Sequence, residues 1–246
     1  MTNQEEKRYL IVNADDFGQS CGINRGIIEA HERGIVTSAS LMVRWPAAAE
    51  AAAYAREHPS LSLGLHFDFG EWCRRNGSWI KLYEVVSEED VTAVAREASR
   101  QLATFRRLTG EDPTHLDSHQ HVHGRKPLRS VFIGVAKRLG VPLRSHSPQV
   151  RYCGNFYGQT EDGMPLPDLI SVGGAIKLLA QLPPGFTELG CHPGYADDLD
   201  SMYRQERVRE LGTLCDPTVR SAIDDMGIEL CSFREVVCGS KEGVPK

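Results

Sequence analysis

The chain has 246 residues, of which 41% are hydrophobic and 25% are charged, and this composition is sufficient for one large buried core. Its formal net charge is −5 and it has no dense cluster of lysine and arginine, which argues against nucleic-acid binding. Because residues 1–8 are polar and no apolar run approaches the roughly 20 residues of a membrane span, we expect a cytoplasmic protein with no membrane partner.

Predicted strands and helices alternate along the chain. Apolar and β-branched runs predict the strands, and helical spacing of apolar residues predicts the helices. In chain order they are a strand at 9–12, a helix at 22–33, a strand at 37–43, a helix at 46–57, a strand at 61–67, a helix at 88–108, a strand at 115–118, a helix at 127–139, a strand at 141–143, helices at 168–182 and 201–211 on either side of a strand at 186–191, a helix from Pro217, and a strand at 227–231. Residues 145–167, rich in Gly, Pro, Asn and aromatic residues, are predicted to form a long loop that either covers a binding site or only connects two elements.

This alternation predicts an α/β fold. About seven strands are present and no glycine-rich phosphate loop follows the first of them. We therefore expect a distorted TIM-like (β/α) barrel rather than a doubly wound sheet. No linker, repeat or low-complexity segment divides the chain, so a single domain over residues 1–246 is expected.

Polar and ionisable residues follow four of the predicted strands. Residues 115–123 read HLDSHQHVH, and three other strand ends carry Asp15 with Asp16, His66, and His192. In a β/α barrel the carboxyl ends of the strands meet at one rim, where catalytic groups lie. The sequence therefore predicts a hydrolytic metal site at this rim.

Asp16, His66 and His119 are the predicted ligands of one divalent ion. A carboxylate and two imidazoles bind such an ion while leaving positions open for water and substrate. Imidazole nitrogen favours zinc, with magnesium or another divalent ion as the alternative. The seven cysteines include no Cys-x-x-Cys pair, so neither a thiolate zinc site nor a disulfide framework is indicated.

Asp15 and His192 are predicted to move protons. Asp15 adjoins the predicted ligand Asp16 and would take a proton from the attacking water, whereas His192 would protonate a leaving amine. An isolated Asp pair caps a turn about as often, and an isolated histidine is more often structural. Their shared position at strand ends favours the catalytic interpretation.

Four further residues surround His119 in the sequence. We predict that they orient the ligands through hydrogen bonds, and additional ligation is the alternative. These residues are His115, Asp117, His121 and His123.

Short motifs occur in a fixed order through the first half of the chain and again near residue 192. They are Asn13-Ala14-Asp15-Asp16-Phe17-Gly18, Gly26-Ile27-Ile28-Glu29-Ala30, Gly34-Ile35-Val36-Thr37-Ser38, Gly64-Leu65-His66-Phe67, His115-Leu116-Asp117-Ser118-His119 and His192-Pro193-Gly194-Tyr195. Together they resemble the YdjC-like carbohydrate deacetylases. The resemblance implies a distorted β/α barrel, a divalent ion on the three predicted ligands, and hydrolysis of N-acetyl groups from amino sugars such as chitin fragments. It also implies the base and acid roles assigned above, and it points to a homodimer.

The segment after His66 differs from the members of that family that act on sugar oligomers. Phe67-Asp68-Phe69-Gly70-Glu71-Trp72 replaces a stretch that usually carries Leu-Thr and a Gly-x-Pro turn. A chitin-fragment substrate is therefore not assumed. Four aromatic residues are candidates for stacking on a sugar ring, with core packing as the alternative: Trp72, Trp79, Phe156 and Tyr157.

Two other functions fit the same residues. Sites with two histidines and one carboxylate also occur in iron oxygenases and some phosphoesterases, although the oxygenases usually have antiparallel β scaffolds. A protein that binds a sugar without turnover would need only the metal and the aromatic residues. The presence of both a base and an acid candidate argues against that function.

Overall fold

The computed structural model describes residues 7–75, 77–195, 197–198 and 201–239, so most of the polar segment at 1–8 lies outside the described residues. In chain order the elements are β1 (Arg8–Phe17), α1 (Cys21–Glu32), β2 (Ser38–Leu41), α2 (Ala48–Glu57), β3 (Ser62–Phe67), β4 (Gly70–Arg75), β5 (Ser78–Glu84), α3 (Val91–Thr109), β6 (Leu116–Ser118), a 3-10 helix (His119–Gly124), α4 (Arg129–Leu139), β7 (Val150–Cys153), α5 (Val172–Leu179), β8 (Gly185–Cys191), α6 (Gln205–Leu214), α7 (Pro217–Asp225), β9 (Ile228–Cys231) and α8 (Phe233–Gly239).

Seven of the strands form one curled parallel sheet: six have the order β6-β3-β2-β1-β8-β7, and the seventh, β9, pairs with β1. β1 is central: one side pairs with β8, and the other side pairs first with β9 and then, from Asn13, with β2. A single bridge from Leu116 to Leu143 extends the β6 edge. Within the described ranges no strand pairing joins this edge to β7, so the sheet is curled without closing into a hydrogen-bonded ring.

The α/β class and the parallel sheet of seven strands agree with the sequence prediction, but one strand is exchanged. The predicted strand at 141–143 forms only the bridge at Leu143, whereas β7 lies inside the segment predicted as a loop. β7 has only one buried residue among its four, so no apolar run marks it in the sequence. The antiparallel hairpin of β4 and β5 was also unpredicted, because the residues of β5 are exposed or half-buried throughout.

Alternate residues of β1 belong to different parts of the interior. Leu10 and Val12 pack in the main apolar core beneath the helices, whereas Ile11 joins a smaller apolar cluster that includes Phe233 of α8. On the same side of β1 as Ile11, the next alternate residue is Asn13, which donates a hydrogen bond to Asp15. The inside of the curl is therefore apolar near the start of β1 and polar near its end.

Two features relate to the predicted location and redox state. No described helix combines the length and apolar character needed to cross a bilayer. The six cysteines whose side chains are described are all unpaired, as expected for a chain without a disulfide framework.

Candidate metal centre

Asp15 and Asp16 are both buried at the end of β1 because the strand is bulged there. The pairing register with β2 shifts between Ala14 and Phe17, and Asp16 has a φ of +67°, which is uncommon for a residue other than glycine. In a regular strand two adjacent side chains would point to opposite faces. Here, ligand atoms of both carboxylates lie within 4.8 Å of His66.

Asp16, His66 and His119, the three predicted ligands, each bring one potential ligand atom to the same point. Asp16 Oδ1 lies 3.4 Å from His66 Nε2 and 3.1 Å from His119 Nδ1. Ligand atoms that surround one tetrahedral zinc ion at about 2.0–2.2 Å are separated from each other by about 3.3–3.6 Å. The two separations from Asp16 Oδ1 are close to this range, and the side chain of His119, which is 13% exposed, leaves the group accessible from one side.

The charges around these atoms favour a cation. Burial alone would lower the pKa of His66, but the surrounding carboxylates, Asp117 foremost, raise it to about 10. Burial would also lower the pKa of His119, but the hydrogen bond to Asp16 and the charges of Asp16 and Glu71 together raise it. Surroundings that favour the protonated form of two buried imidazoles would also attract a divalent ion, which competes with protons for the ring nitrogens.

Neighbouring side chains also bind the atoms of Asp16 and His66 that point away from the shared site. Arg207 on α6 donates to Asp16 Oδ2 at 2.6 Å, and Nδ1 of His66 lies 2.8 Å from Asp117 Oδ1. Burial opposes ionisation of Asp16, but Arg207 and the two histidines lower its pKa well below the usual value. Asp16 is therefore a carboxylate at neutral pH.

Asp15 is fixed by a guanidinium on both of its oxygens. Arg144 Nη1 lies 2.6 Å from Asp15 Oδ2, and Arg144 Nη2 lies 2.7 Å from Asp15 Oδ1. Burial would raise the pKa of Asp15, but Arg144 lowers it, so Asp15 is ionised. His192 Nε2 is 3.8 Å from Asp15 Oδ2, which places the predicted acid beside the predicted base.

His192 follows β8 and is held by its backbone and its ring. Its N–H donates to Glu210, and its ring packs 5.5 Å from the ring of Tyr157 and 5.6 Å from that of Tyr203. Nδ1 is buried without a hydrogen-bond partner in the part of the chain that the structure describes. Burial lowers the pKa of His192 to about 4 although Asp15 opposes this, so the imidazole is uncharged at neutral pH.

Of the four predicted supporting residues, only Asp117 bonds to a predicted ligand. His115 acts one step further out, because its Nε2 lies 3.1 Å from Ser40 Oγ, which donates to Asp117 Oδ2 at 2.6 Å. The other two have different neighbours: His123 Nδ1 lies 2.7 Å from Ser118 Oγ, and the exposed His121 packs beside Tyr152.

Of the four aromatic candidates, Tyr157 lies beside His192 and is 37% exposed, which agrees with a position in a substrate site. Phe156 is 1% exposed and packs in the apolar core, so core packing, the other interpretation of the sequence, applies to this residue. The two tryptophans are exposed on the β4–β5 hairpin, where Lys81 lies 4.9 Å from the ring of Trp72.

Sequence reasoning missed the two arginines of the site. Arg144 directly follows the predicted strand at 141–143. Its position at a strand end is therefore a signal for the site, as it is for the acids and histidines. Arg207 lies on a helix and reaches Asp16 across 191 residues of sequence, and no local pattern marks it. Glu188 was also missed, because it lies within β8 rather than after it, where it accepts from Arg144.

Comparison with known proteins gives consistent relatives. The YdjC-like protein family matches residues 9–225. A carbohydrate deacetylase of Geobacillus stearothermophilus is 37% identical over an alignment of 249 positions, and 93% of this chain and 98% of that protein are covered. A chitooligosaccharide deacetylase of Serratia marcescens is 32% identical, with 94% of this chain and 100% of that protein covered.

Two solved structures resemble the fold. A protein of Enterococcus faecalis V583, named as a candidate cellobiose-phosphate cleavage protein, has a TM-score of 0.75 and 26% identity, with 94% of this chain and 99% of that chain covered. The Xyl-CE4 domain of a xylanase from the hindgut metagenome of Trinervitermes trinervoides has a TM-score of 0.55 at 10% identity, covering 97% and 93%, and shares the fold alone. The resemblance of the sequence motifs is thus confirmed: the chain belongs to the YdjC-like family.

Proposed function

We propose that this protein is a metal-dependent hydrolase that removes an N-acetyl group from an amino sugar or a related carbohydrate. The observation that carries the proposal is the convergence of Asp16, His66 and His119 within 4.8 Å of one another, beside Asp15 and His192. Two relatives named as deacetylases, identical to this chain at 37% and 32% of positions, support the reaction and the class of substrate.

Asp16, His66 and His119 would hold one divalent ion through Oδ1, Nε2 and Nδ1. The spacing of these atoms and the raised pKa values of both histidines fit a cation at this point. Imidazole nitrogen favours zinc, with magnesium or another divalent ion as the alternative. When bound, such an ion supplies Lewis-acid polarisation of the acetamide carbonyl and lowers the pKa of a water.

Asp15 acts as the base that takes a proton from the attacking water. Its low pKa keeps it ionised, and the two-point contact with Arg144 fixes the carboxylate in one orientation. A fixed base within reach of its proton typically contributes about 10²–10⁴-fold to the rate.

His192 delivers a proton to the nitrogen as the bond between this nitrogen and the acetyl carbon breaks. Because its pKa of about 4 leaves it uncharged at neutral pH, it must first receive that proton within the cycle. Asp15 Oδ2, 3.8 Å from His192 Nε2, is the neighbouring group that has just taken one from water. The proton lost by the water thus passes from Asp15 through His192 to the amine, and acetate is released.

The experiment that tests this function measures acetate release by the purified protein after reconstitution with zinc. The panel contains N-acetylated monosaccharides, oligosaccharides and glycolipid headgroups, and His119→Ala is the control. We expect release from at least one carbohydrate and its loss in the variant. Tight sugar binding without release over hours would contradict the proposal and favour a sugar-binding protein. Activity that requires oxygen and a 2-oxo acid would instead indicate an oxygenase.

A further inference from the structure

A carboxylate outside the predicted site faces a nitrogen of a predicted ligand that lacks a partner. His119 Nε2 is buried and has no hydrogen-bond partner among the described residues. Glu71 Oε2 lies 3.8 Å from it, and the two side chains are only 13% and 12% exposed. Water has little access to the space between them.

The position of Glu71 is fixed by the contact between β4 and the 3-10 helix. Trp72 N–H donates to Gln120 Oε1 at 3.1 Å, and Gln120 Nε2 donates to the Trp72 carbonyl oxygen at 2.7 Å. Gln120 is the next residue after His119. These two bonds therefore hold the strand that carries Glu71 against the segment that carries His119.

The two histidines of the site face Asp16 through different nitrogens. His66 presents Nε2 to Asp16, and its other nitrogen, Nδ1, lies 2.8 Å from Asp117. His119 does the reverse: it presents Nδ1 to Asp16, and its Nε2 faces Glu71. A histidine that binds an ion through one nitrogen carries its proton on the other nitrogen. Metal-binding histidines almost always donate that N–H to a carboxylate, a carbonyl or water.

We propose that Glu71 is a positioning residue of the metal site. It accepts the Nε2–H of His119 and so keeps Nδ1 of this ring turned toward the ion. Asp117 has the same role for His66, where it accepts from Nδ1 and leaves Nε2 turned toward the ion. An approach of about 0.6–1 Å brings the 3.8 Å separation into the hydrogen-bond range. The inference rests on the proposed metal site and adds to it a carboxylate from the hairpin that the sequence analysis did not predict.

Zinc affinity, measured by competition with a chromophoric chelator, tests this role without any substrate. We expect Glu71→Ala to weaken zinc binding by about 10–100-fold. Glu71→Gln retains an acceptor oxygen and should lose less. Glu84→Gln, which alters an exposed carboxylate on the same hairpin that pairs with Lys81, is the matched control and should bind zinc as the wild type does. Wild-type affinity in Glu71→Ala would overturn the proposal.

A second readout assigns the nitrogens directly and needs no variant. Long-range ¹H–¹⁵N spectra of the zinc protein, with labelled histidine, should show His119 bound through Nδ1 with its proton on Nε2, and His66 bound through Nε2. Ligation of His119 through Nε2 would overturn the role of Glu71 while leaving the metal site intact. A wild-type protein that binds no divalent ion would overturn both this inference and the proposed function.

Discussion

Two of the three candidate ligands, Asp16 and His66, have outer atoms that are already engaged by the protein. Arg207 bonds Asp16 Oδ2 and Asp117 bonds Nδ1 of His66, which leaves Asp16 Oδ1 and His66 Nε2 facing each other at 3.4 Å. Because these side chains are held in place before an ion arrives, binding requires little further ordering. In the proposed metal site, this network would therefore support metal affinity as well as the fold.

Zinc affinity should increase with pH. His66 has a pKa raised to about 10, so at neutral pH it carries a proton that the ion must displace. Raising the pH removes this competition, and we expect affinity to rise by about tenfold per pH unit for each displaced proton between roughly pH 6 and 9. Calorimetry in buffers of different ionisation enthalpy counts the released protons. Release of none at pH 7 would contradict the assignment of His66 as a ligand.

Replacing His192 should separate metal binding from turnover. His192→Ala removes the proposed proton donor but none of the three ligands, so bound zinc should remain at the wild-type level. We expect kcat for acetate release to fall by about 10²–10⁴-fold. Metal content and kcat are measured on the same sample. Full activity in this variant would remove His192 from the mechanism.

The elements that the sequence predicts best are the strands of the sheet, together with the residues at their carboxyl ends. Asp16 and His66 lie at the ends of β1 and β3, and His119 comes directly after β6, so their convergence results from parallel strands sharing one edge. Glu71 and Arg207 come from a hairpin and a helix. Their side chains reach the site only through the packing of distant elements, so no local periodicity could predict them.

The close contact between β3 and the residue before β6 leaves no room for a side chain at position 64. A Cβ on Gly64 would lie 2.4 Å from the His115 ring, and this ring cannot retreat because it stacks on Phe233 at 3.8 Å. We expect Gly64→Ala to lower the free energy of unfolding by about 1–3 kcal/mol in urea denaturation.

Gly212→Ala is the matched control for that variant. Gly212 is exposed on α6, and its Cβ would meet no atom within 4 Å, so alanine should leave stability unchanged or raise it by up to about 1 kcal/mol. If Gly64→Ala proves as stable as Gly212→Ala, position 64 of β3 does not pack as closely against the His115 ring as the structure shows.

Across the whole molecule, Arg144 connects strands from both sides of β1. Its guanidinium lies 2.6 Å from Asp15 on β1, 2.8 Å from Asp117 on β6 and 2.6 Å from Glu188 on β8. Burial would lower the pKa of Arg144, but these carboxylates raise it well above the usual value. A single buried cation thus balances part of the negative charge inside the curled sheet.

Removing that cation should destabilise the entire fold. Arg144→Met leaves three buried carboxylates without their shared partner, and breaking a buried ion pair in this way typically costs about 3–5 kcal/mol. Urea denaturation of the metal-free protein at pH 7 measures the change, and Arg144→Lys, which keeps the positive charge, should lose less. A loss below about 1 kcal/mol for the methionine variant would show that Arg144 does not hold the strands together.

The overall architecture was predictable from the sequence, but the closure of the barrel was not. Alternating strands and helices indicate a parallel α/β sheet wherever the apolar runs are long, as in β1 and β8. The edges of the sheet are formed instead by β6, which has three residues, by β7, which has four, and by a single bridge at Leu143. Segments this short carry no periodic pattern, so only the three-dimensional packing decides whether the ring closes.

The most direct test of the proposed metal site is the dependence of acetate release on bound metal. After the ion is removed with a chelator, activity toward the best N-acetylated carbohydrate should vanish, and it should return in proportion to added zinc up to one ion per chain. Under the same titration His66→Ala should recover little or no activity. Undiminished acetate release from protein shown to contain no metal would contradict the central claim that Asp16, His66 and His119 hold a catalytic ion.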